Sequence, residues 1–258
     1  MMLTVLSAKN RLHASLIHLV YCAVIAFIVV LVVFGVWYPG ELAAAAGVTD
    51  IFLLLLLVDI CLGPLLTLVV FNKAKQELAR DLLIIFLFQL TALVGGIYTV
   101  FIARPVYVVF AVDRFELVYA NDLTREDLLQ ATYREYQSVP LWGPKWIAAM
   151  APDSAQERQD MLFKALGEGR DLAQTPQYYQ PYETAKPRIR EKIYPLARLK
   201  EFNSQADPML IELLSRYSLE PSFYGFIPLE SEVLDLVVVI NNQTAEVEEV
   251  VKLKPWHY

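Results

Sequence analysis

Residues 104–258 contain no cysteine, and their one histidine is His257, beside the last residue. A Ser-His or Cys-His pair would have to recruit that imidazole, so nucleophilic catalysis of the usual kind finds no support. No cluster of His, Cys and Asp has metal-ligand spacing. Glycine is scarce, 10 in 258 residues, and Gly167-Glu168-Gly169 lacks the Gly-Lys or third glycine of a phosphate-cradling loop. These shortages predict a chain that is not an enzyme, with no catalytic residues, metal or cofactor. A cationic surplus is missing as well. Up to Ala103 the bases Lys9, Arg11, Lys73, Lys75 and Arg80 cancel the acids Glu41, Asp50, Asp59, Glu77 and Asp81, which leaves the whole formal charge of -6 to the later residues. A mildly acidic region is a poor holder of a polyanion, so nucleic acid is not an expected partner. The bases from Lys186 to Lys200 interleave with Glu183, Glu191 and Glu201 and read as a salt-bridged surface helix.

What the sequence has in excess is apolar residues: 56%, against about 45–50% in soluble domains. The excess lies before residue 104. Leu19–Tyr38, Ile51–Phe71 and Leu82–Ile102 are apolar runs of about 20 residues each, long enough at about 1.5 Å per residue to cross a hydrocarbon core of about 30 Å. In lipid each must be helical, because only a helix satisfies its own backbone polar groups. The first run exceeds the about 7–15 apolar residues of a cleaved signal, so an uncleaved anchor is expected. Bases occur in the N-terminal segment (Lys9, Arg11) and the second loop (Lys73, Lys75, Arg80), and none between Pro39 and Asp50. That bias predicts a cytoplasmic N-terminus and an extracytoplasmic C-terminal region.

The expected fold is therefore a membrane protein: three transmembrane α-helices in a domain of residues 1–103, then an extracytoplasmic α+β domain of residues 104–258. Pro105–Tyr119 reads as a β-hairpin turning at Asp113-Arg114, and Leu234–Ile240 with Ala245–Leu253 as a second one around Asn241-Asn242-Gln243. Terminal hairpins sharing one sheet, with helices between them, fit that class. The predicted helices start at Thr124, whose spacing to Asp127 is that of a capping box, and cover Ser154–Leu166, Tyr182–Tyr194 and Pro208–Tyr217. Two proline-bearing stretches, Pro140–Pro152 with Trp142 and Trp146, and Pro176–Pro187 with Tyr178, Tyr179 and Tyr182, read as irregular, their aromatics packed beneath loops.

The most informative site lies in the second span. Asp59 falls roughly 12 Å into it, counting at about 1.5 Å per residue from Ile51. An ionisable group at such a depth costs several kcal/mol and is a functional candidate by default. Neither neighbouring span offers a counter-charge at that level, and Tyr98 is the nearest hydroxyl. Two readings stay open: Asp59 is neutral and hydrogen-bonded, or it awaits a group from another chain. Gly63-Pro64 follows. Pro64 cannot donate to the carbonyl of Ile60 and should kink the helix. Gln89 and Thr91 lie at about the depth of the freed carbonyl, and Gly95-Gly96 removes bulk for close helix approach. Asp59, Gly63, Pro64, Gln89, Gly95 and Gly96 thus form a candidate partner-binding surface.

Trp37-Tyr38-Pro39-Gly40, Val58-Asp59-Ile60-Cys61-Leu62-Gly63-Pro64 with the run to Phe71, and Arg104-Pro105-Val106-Tyr107 with the run to Glu116 together resemble, over residues 10–120, the type IV pilin accessory proteins of Gram-negative bacteria. This is the TfpX/TfpZ family, whose relatives are called fimbrial assembly protein FimB. The resemblance implies an inner-membrane protein that serves a cognate major type IV pilin, alongside other inner-membrane assembly proteins, and stabilises that pilin or aids its assembly. It carries no catalytic residues. A pilin waiting in the membrane is a single apolar helix with an external head, which a three-helix bundle is suited to shelter. The alternatives are an energy-coupling component built on the intramembrane Asp59, a pilin-modifying enzyme, and a sensor. The sensor is ranked last because no output domain faces the cytoplasm.

Overall fold

The computed structural model describes residues 2–152, 154, 156, 158–159, 170–218 and 221–257, the first seven by their backbone alone. The expected helix at Ser154–Leu166 and Gly167-Glu168-Gly169 lie largely or wholly outside the described residues. The chain divides into two compact units. One holds residues 1–36 and 48–102, and the other residues 37–47 and 103–258.

The first unit is built from three helices: α1 (Met2–Val32), extended by a wider π turn over Val33–Trp37, α3 (Val48–Val70) and α4 (Leu78–Ile102). All three are long and apolar enough to cross a membrane. The four-residue helix α2 (Leu42–Ala45) lies in the loop between the first two and belongs to the second unit. The helix α1 begins well before the expected Leu19, because the polar residues from Lys9 to His18 continue its periodicity rather than breaking it. Helix α3 continues through Pro64.

The second unit is one mixed eight-stranded sheet with helices on both faces, an α+β domain. Strands β1 (Pro105–Ala111) and β2 (Arg114–Tyr119) form the expected first hairpin. It turns at Val112-Asp113, one residue earlier than the sequence suggests, with Val112 at a φ of 59°. Helix α5 (Arg125–Leu129) carries the capping box: Asp127 N–H donates to Thr124 Oγ1 at 3.2 Å, and Thr124 N–H to Asp127 Oδ2 at 3.1 Å. It is shorter than expected, with only a 3-10 turn at Arg134–Tyr136 beyond it. Next come β3 (Lys145–Ala149), β4 (Tyr179–Pro181), α6 (Tyr182–Lys192), β5 (Tyr194–Pro195) and α7 (Pro208–Arg216). Strands β6 (Tyr224–Glu230), β7 (Leu236–Asn241) and β8 (Val247–Val251) close the chain. The order across the sheet is β4-β3-β1-β2-β6-β7-β8, with β5 beside β6, so the two terminal hairpins share one sheet as expected.

The stretch read as irregular around Trp146 is in fact β3, parallel to β1. Tyr179–Pro181 in the second such stretch is a strand too, and Pro187 sits inside α6. Of the aromatics there, Tyr179 is fully buried, whereas Trp142 is 79% exposed. Alternate residues of β1 and β7 enter opposite cores. Val108, Phe110, Leu236, Val238 and Ile240 face Ala185 and Ile189 of α6 together with Leu42 and Ala45 of α2. Tyr107 and Val109 face Leu128, Tyr136 and Leu172, and Val237 and Val239 face Leu210 and Leu213 of α7. A sheet covered on both faces explains why these strands are continuous apolar runs. The basic stretch is not one helix: α6 ends at Lys192, and Arg198 and Lys200 lie in a 3-10 helix over Leu196–Glu201, beyond β5. Lys186 pairs with Glu183 and Glu246, and Arg190 donates to the carbonyl of Gln243 at 3.0 Å.

Candidate functional site

Where lipid would surround the helices, every buried polar group needs a partner inside the bundle. Three groups on α1 find theirs on α3 or α4. Ser15 Oγ donates to the carbonyl of Pro64 at 2.8 Å, and His18 Nδ1 shares a hydrogen bond of 2.6 Å with Thr67 Oγ1. Cys22 Sγ lies 3.7 Å from Gln89 Nε2. The same Gln89 amide donates to the backbone carbonyl of Asp59 at 3.1 Å. Gln89 therefore relieves α3 one residue before Pro64's expected orphan, the carbonyl of Ile60. Thr91 turns instead to its own helix, donating to the carbonyl of Leu87 at 2.8 Å.

The two expected small-residue contacts separate. A Cβ placed on Gly63 would lie 2.0 Å from Gln89 Nε2, so the missing side chain is what admits Gln89. A Cβ on Gly96 would lie 2.4 Å from Leu55 Cδ1, whereas Gly95 meets nothing within 4 Å. Gly96 thus makes the close approach, and Gly95 takes no part in it.

Above Gln89 the three helices leave a cavity of about 340 Å³, lined by His18, Cys22, Ala26, Leu56, Asp59, Phe86 and Gln89 among others. Its lining is almost wholly hydrocarbon. Asp59 Oδ2 is out of reach of solvent and has no hydrogen-bond partner among the described residues. Tyr98 is 62% exposed, and no hydrogen bond joins it to Asp59. The residues of α1 that line this cavity with Asp59 are His18, Tyr21, Cys22, Ile25 and Ala26, one to three turns before Val29 and Val30, the residues that depth counting selects. Among the described residues no group of His, Cys, Asp and Glu is arranged to hold a metal ion.

Sequence reasoning picked Asp59, Gly63, Pro64 and Gln89; the structure brings Gln89 against Asp59 and Gly63, while Pro64 meets Ser15. It missed Ser15, His18, Cys22 and Thr67. A signal for the first three was present: Arg11, Ser15, His18, Cys22 and Ala26 recur every three or four residues, one stripe of a helix. Starting the span at Leu19 hid it.

Residues 6–41 match the family model described as fimbrial assembly protein FimB. The chain is 32% identical over 220 residues to the fimbrial assembly protein of serogroup E1 from Dichelobacter nodosus, covering 83% of this chain and 84% of that protein. It is 33% identical, with the same coverage, to the serogroup I protein of that organism. A third relative there, the fimbrial assembly protein of serogroups C1 and C2, is 34% identical over 117 residues, 45% of this chain and 89% of that one. No solved structure matches the chain.

Proposed function

The chain belongs to the family of fimbrial assembly proteins, and from that premise we propose that it serves fimbria biogenesis as a non-enzymatic chaperone of the fimbrial subunit. In this reading α1, α3 and α4 span the inner membrane with the N-terminus in the cytoplasm. The sheet domain lies in the periplasm. The client is the cognate major type IV pilin before its assembly, and other inner-membrane assembly proteins take it over.

One observation carries the reading: the apolar cavity in the three-helix unit with an unpartnered carboxylate oxygen, Asp59 Oδ2, at its wall. A polar atom without a partner in hydrocarbon is costly. A visiting apolar helix that brings one donor removes that cost while filling the cavity. Packing and one interhelical hydrogen bond are the forces that associate helices in lipid, where apolar burial alone gives no preference.

The test is the half-life of unassembled pilin, with assembly blocked, in cells that carry the wild-type chain, no chain, Asp59→Asn or Asp59→Leu. Protection by the wild type and by Asp59→Asn, with loss of protection in Asp59→Leu and in the deletion, is expected. A pilin half-life that does not change on deletion removes the sheltering mechanism and moves the action to the assembly step. Full protection by Asp59→Leu would retain a chaperone but remove Asp59 from its site.

A further inference from the structure

The sheet unit keeps its core tightly covered, yet bare apolar side chains stand at several places on it, among them Val112 (66% exposed) and Leu129 (62%), and on two loops that lie next to the ends of the spans. In the loop after Tyr136, Leu141 is 61% exposed and Trp142 79%, the greatest exposure of any large apolar residue described. In the loop between β6 and β7, Val233 is 63% exposed. Tryptophan seldom stands bare in water without a use, and scattered aliphatic exposure alone would need no explanation.

Both loops are fastened to residues that lead directly into a span. The buried Arg104 donates through Nη2 to the carbonyl of Pro140 at 2.9 Å. Arg104 lies two residues past Ile102, the last residue of α4, so the chain itself holds it within about 7 Å of that end. Leu141 and Trp142 follow Pro140 immediately. Val233 is fastened independently. Its Cγ2 lies 3.0 Å from the point where a Cβ of Gly47 would stand, and Gly47 directly precedes Val48, where α3 begins. Nearby, Ser231 Oγ donates to the carbonyl of Ala45 at 3.1 Å. The exposed apolar side chains of these two loops are therefore tethered to the ends of two apolar spans.

We infer that Leu141, Trp142 and Val233 form a lipid-facing footing, which enters the headgroup boundary of the bilayer that α3 and α4 cross. The partner is the phospholipid surface itself. Tryptophan suits that layer, because its ring is apolar while its indole N–H can reach water or a headgroup oxygen. Lys145, exposed at the start of β3 three residues beyond Trp142, brings a cation to the edge of that loop for lipid phosphates. The consequence is a soluble unit held against the membrane at two points besides its covalent links.

The test uses the full chain in lipid discs made of phosphatidylcholine, either plain or brominated near the top of the acyl chains, which quenches nearby indoles. Subtracting the emission of a Trp142→Phe variant isolates Trp142 from Trp37, Trp146 and Trp256. The expected difference spectrum is blue-shifted, loses the greater part of its intensity in brominated discs, and resists aqueous iodide. A red-shifted spectrum quenched by iodide and not by bromine would overturn the footing. So would a spectrum shielded from both quenchers, which would mean a protein contact. A benzophenone photoprobe at position 141, compared with one at Ile211 on α7, gives a second reading that does not depend on Trp142→Phe folding well. Lipid adducts at 141 and none at 211 are expected, and equal yields would count against the inference.

Discussion

Glycine 63, glycine 95 and glycine 96 look alike in the sequence and differ in what they touch. Alanine at 63 would drive Gln89 off the Asp59 carbonyl, and alanine at 96 would press on Leu55. Each is expected to cost about 1–3 kcal/mol, the usual penalty of overpacking, whereas Gly95→Ala should be neutral. Reversible denaturation of the full chain in detergent micelles checks this ordering, and a Gly95→Ala loss equal to the other two would contradict it. A second residue makes a pH prediction. Glu116 on β2 is pushed up to about 7 by burial first, then by the carboxylates of Asp171 and Glu230, with Arg114 opposing and Asp113 adding a little. Because the folded value lies above the ordinary 4.5, the native state holds an extra proton between the two. Stability is then fullest below about 4.5 and falls as pH rises through about 7, by a few kcal/mol at most. The melting temperature of the full chain should decline across that window and level off above it. Glu116→Gln should flatten this part of the profile and raise the melting temperature at pH 8, and an unchanged slope would show that Glu116 does not set it.

Elements differ in how plainly their residues announce them. The three long helices are legible from hydrophobic length alone, and the β1–β2 and β7–β8 hairpins from β-branched runs broken by turn residues. Thr124 and Asp127 mark the start of α5 because a cap is a local interaction. Strand β3 was not legible. Its buried residues are Ile147, Ala148 and Ala149, two of them small, because it is parallel to β1 and covered on both faces, so no alternation exists to be read. Strand β6 was hidden by Pro228. That proline is tolerated in a central strand because the neighbour on one side changes there: Phe226 pairs with Tyr194 of β5, and Leu229 with Phe115 of β2. Proline is normally confined to edges or irregular pairing, and this break in the ladder supplies the irregularity. The candidate site was half legible. Asp59, Gly63, Pro64 and Gln89 stand out as polar or helix-breaking residues in apolar runs, and Ser15, His18 and Cys22 as one stripe of α1, whereas Thr67 becomes visible only when α1 and α3 are set in register.

At the scale of the whole molecule, the loop between the first two long helices is part of the sheet domain. Tyr38 is 1% exposed and Ala45 fully buried, and Leu42 and Ala45 share a core with Phe115, Ile227 and Val238. Cutting the chain at Arg104, where the apolar spans end, would therefore strip one face of the sheet. Exposing what a single buried leucine covers costs about 2–5 kcal/mol, and about 2–4 °C of melting temperature accompanies each kcal/mol in a domain of this size. A fragment of residues 104–258 should consequently melt lower, by on the order of 5 °C or more, than the same fragment with residues 37–47 joined to it through a flexible linker. Calorimetry of the two fragments decides the matter. Leu42→Asp in the longer fragment should return it to the behaviour of the shorter one, because a carboxylate cannot occupy that apolar face without a partner. Equal melting temperatures for all three would mean that the loop rests on the sheet without stabilising it. A clear difference would mean that the sheet domain is completed by a segment that the chain supplies from between its first two long helices, so that its full stability requires residues on both sides of α3 and α4.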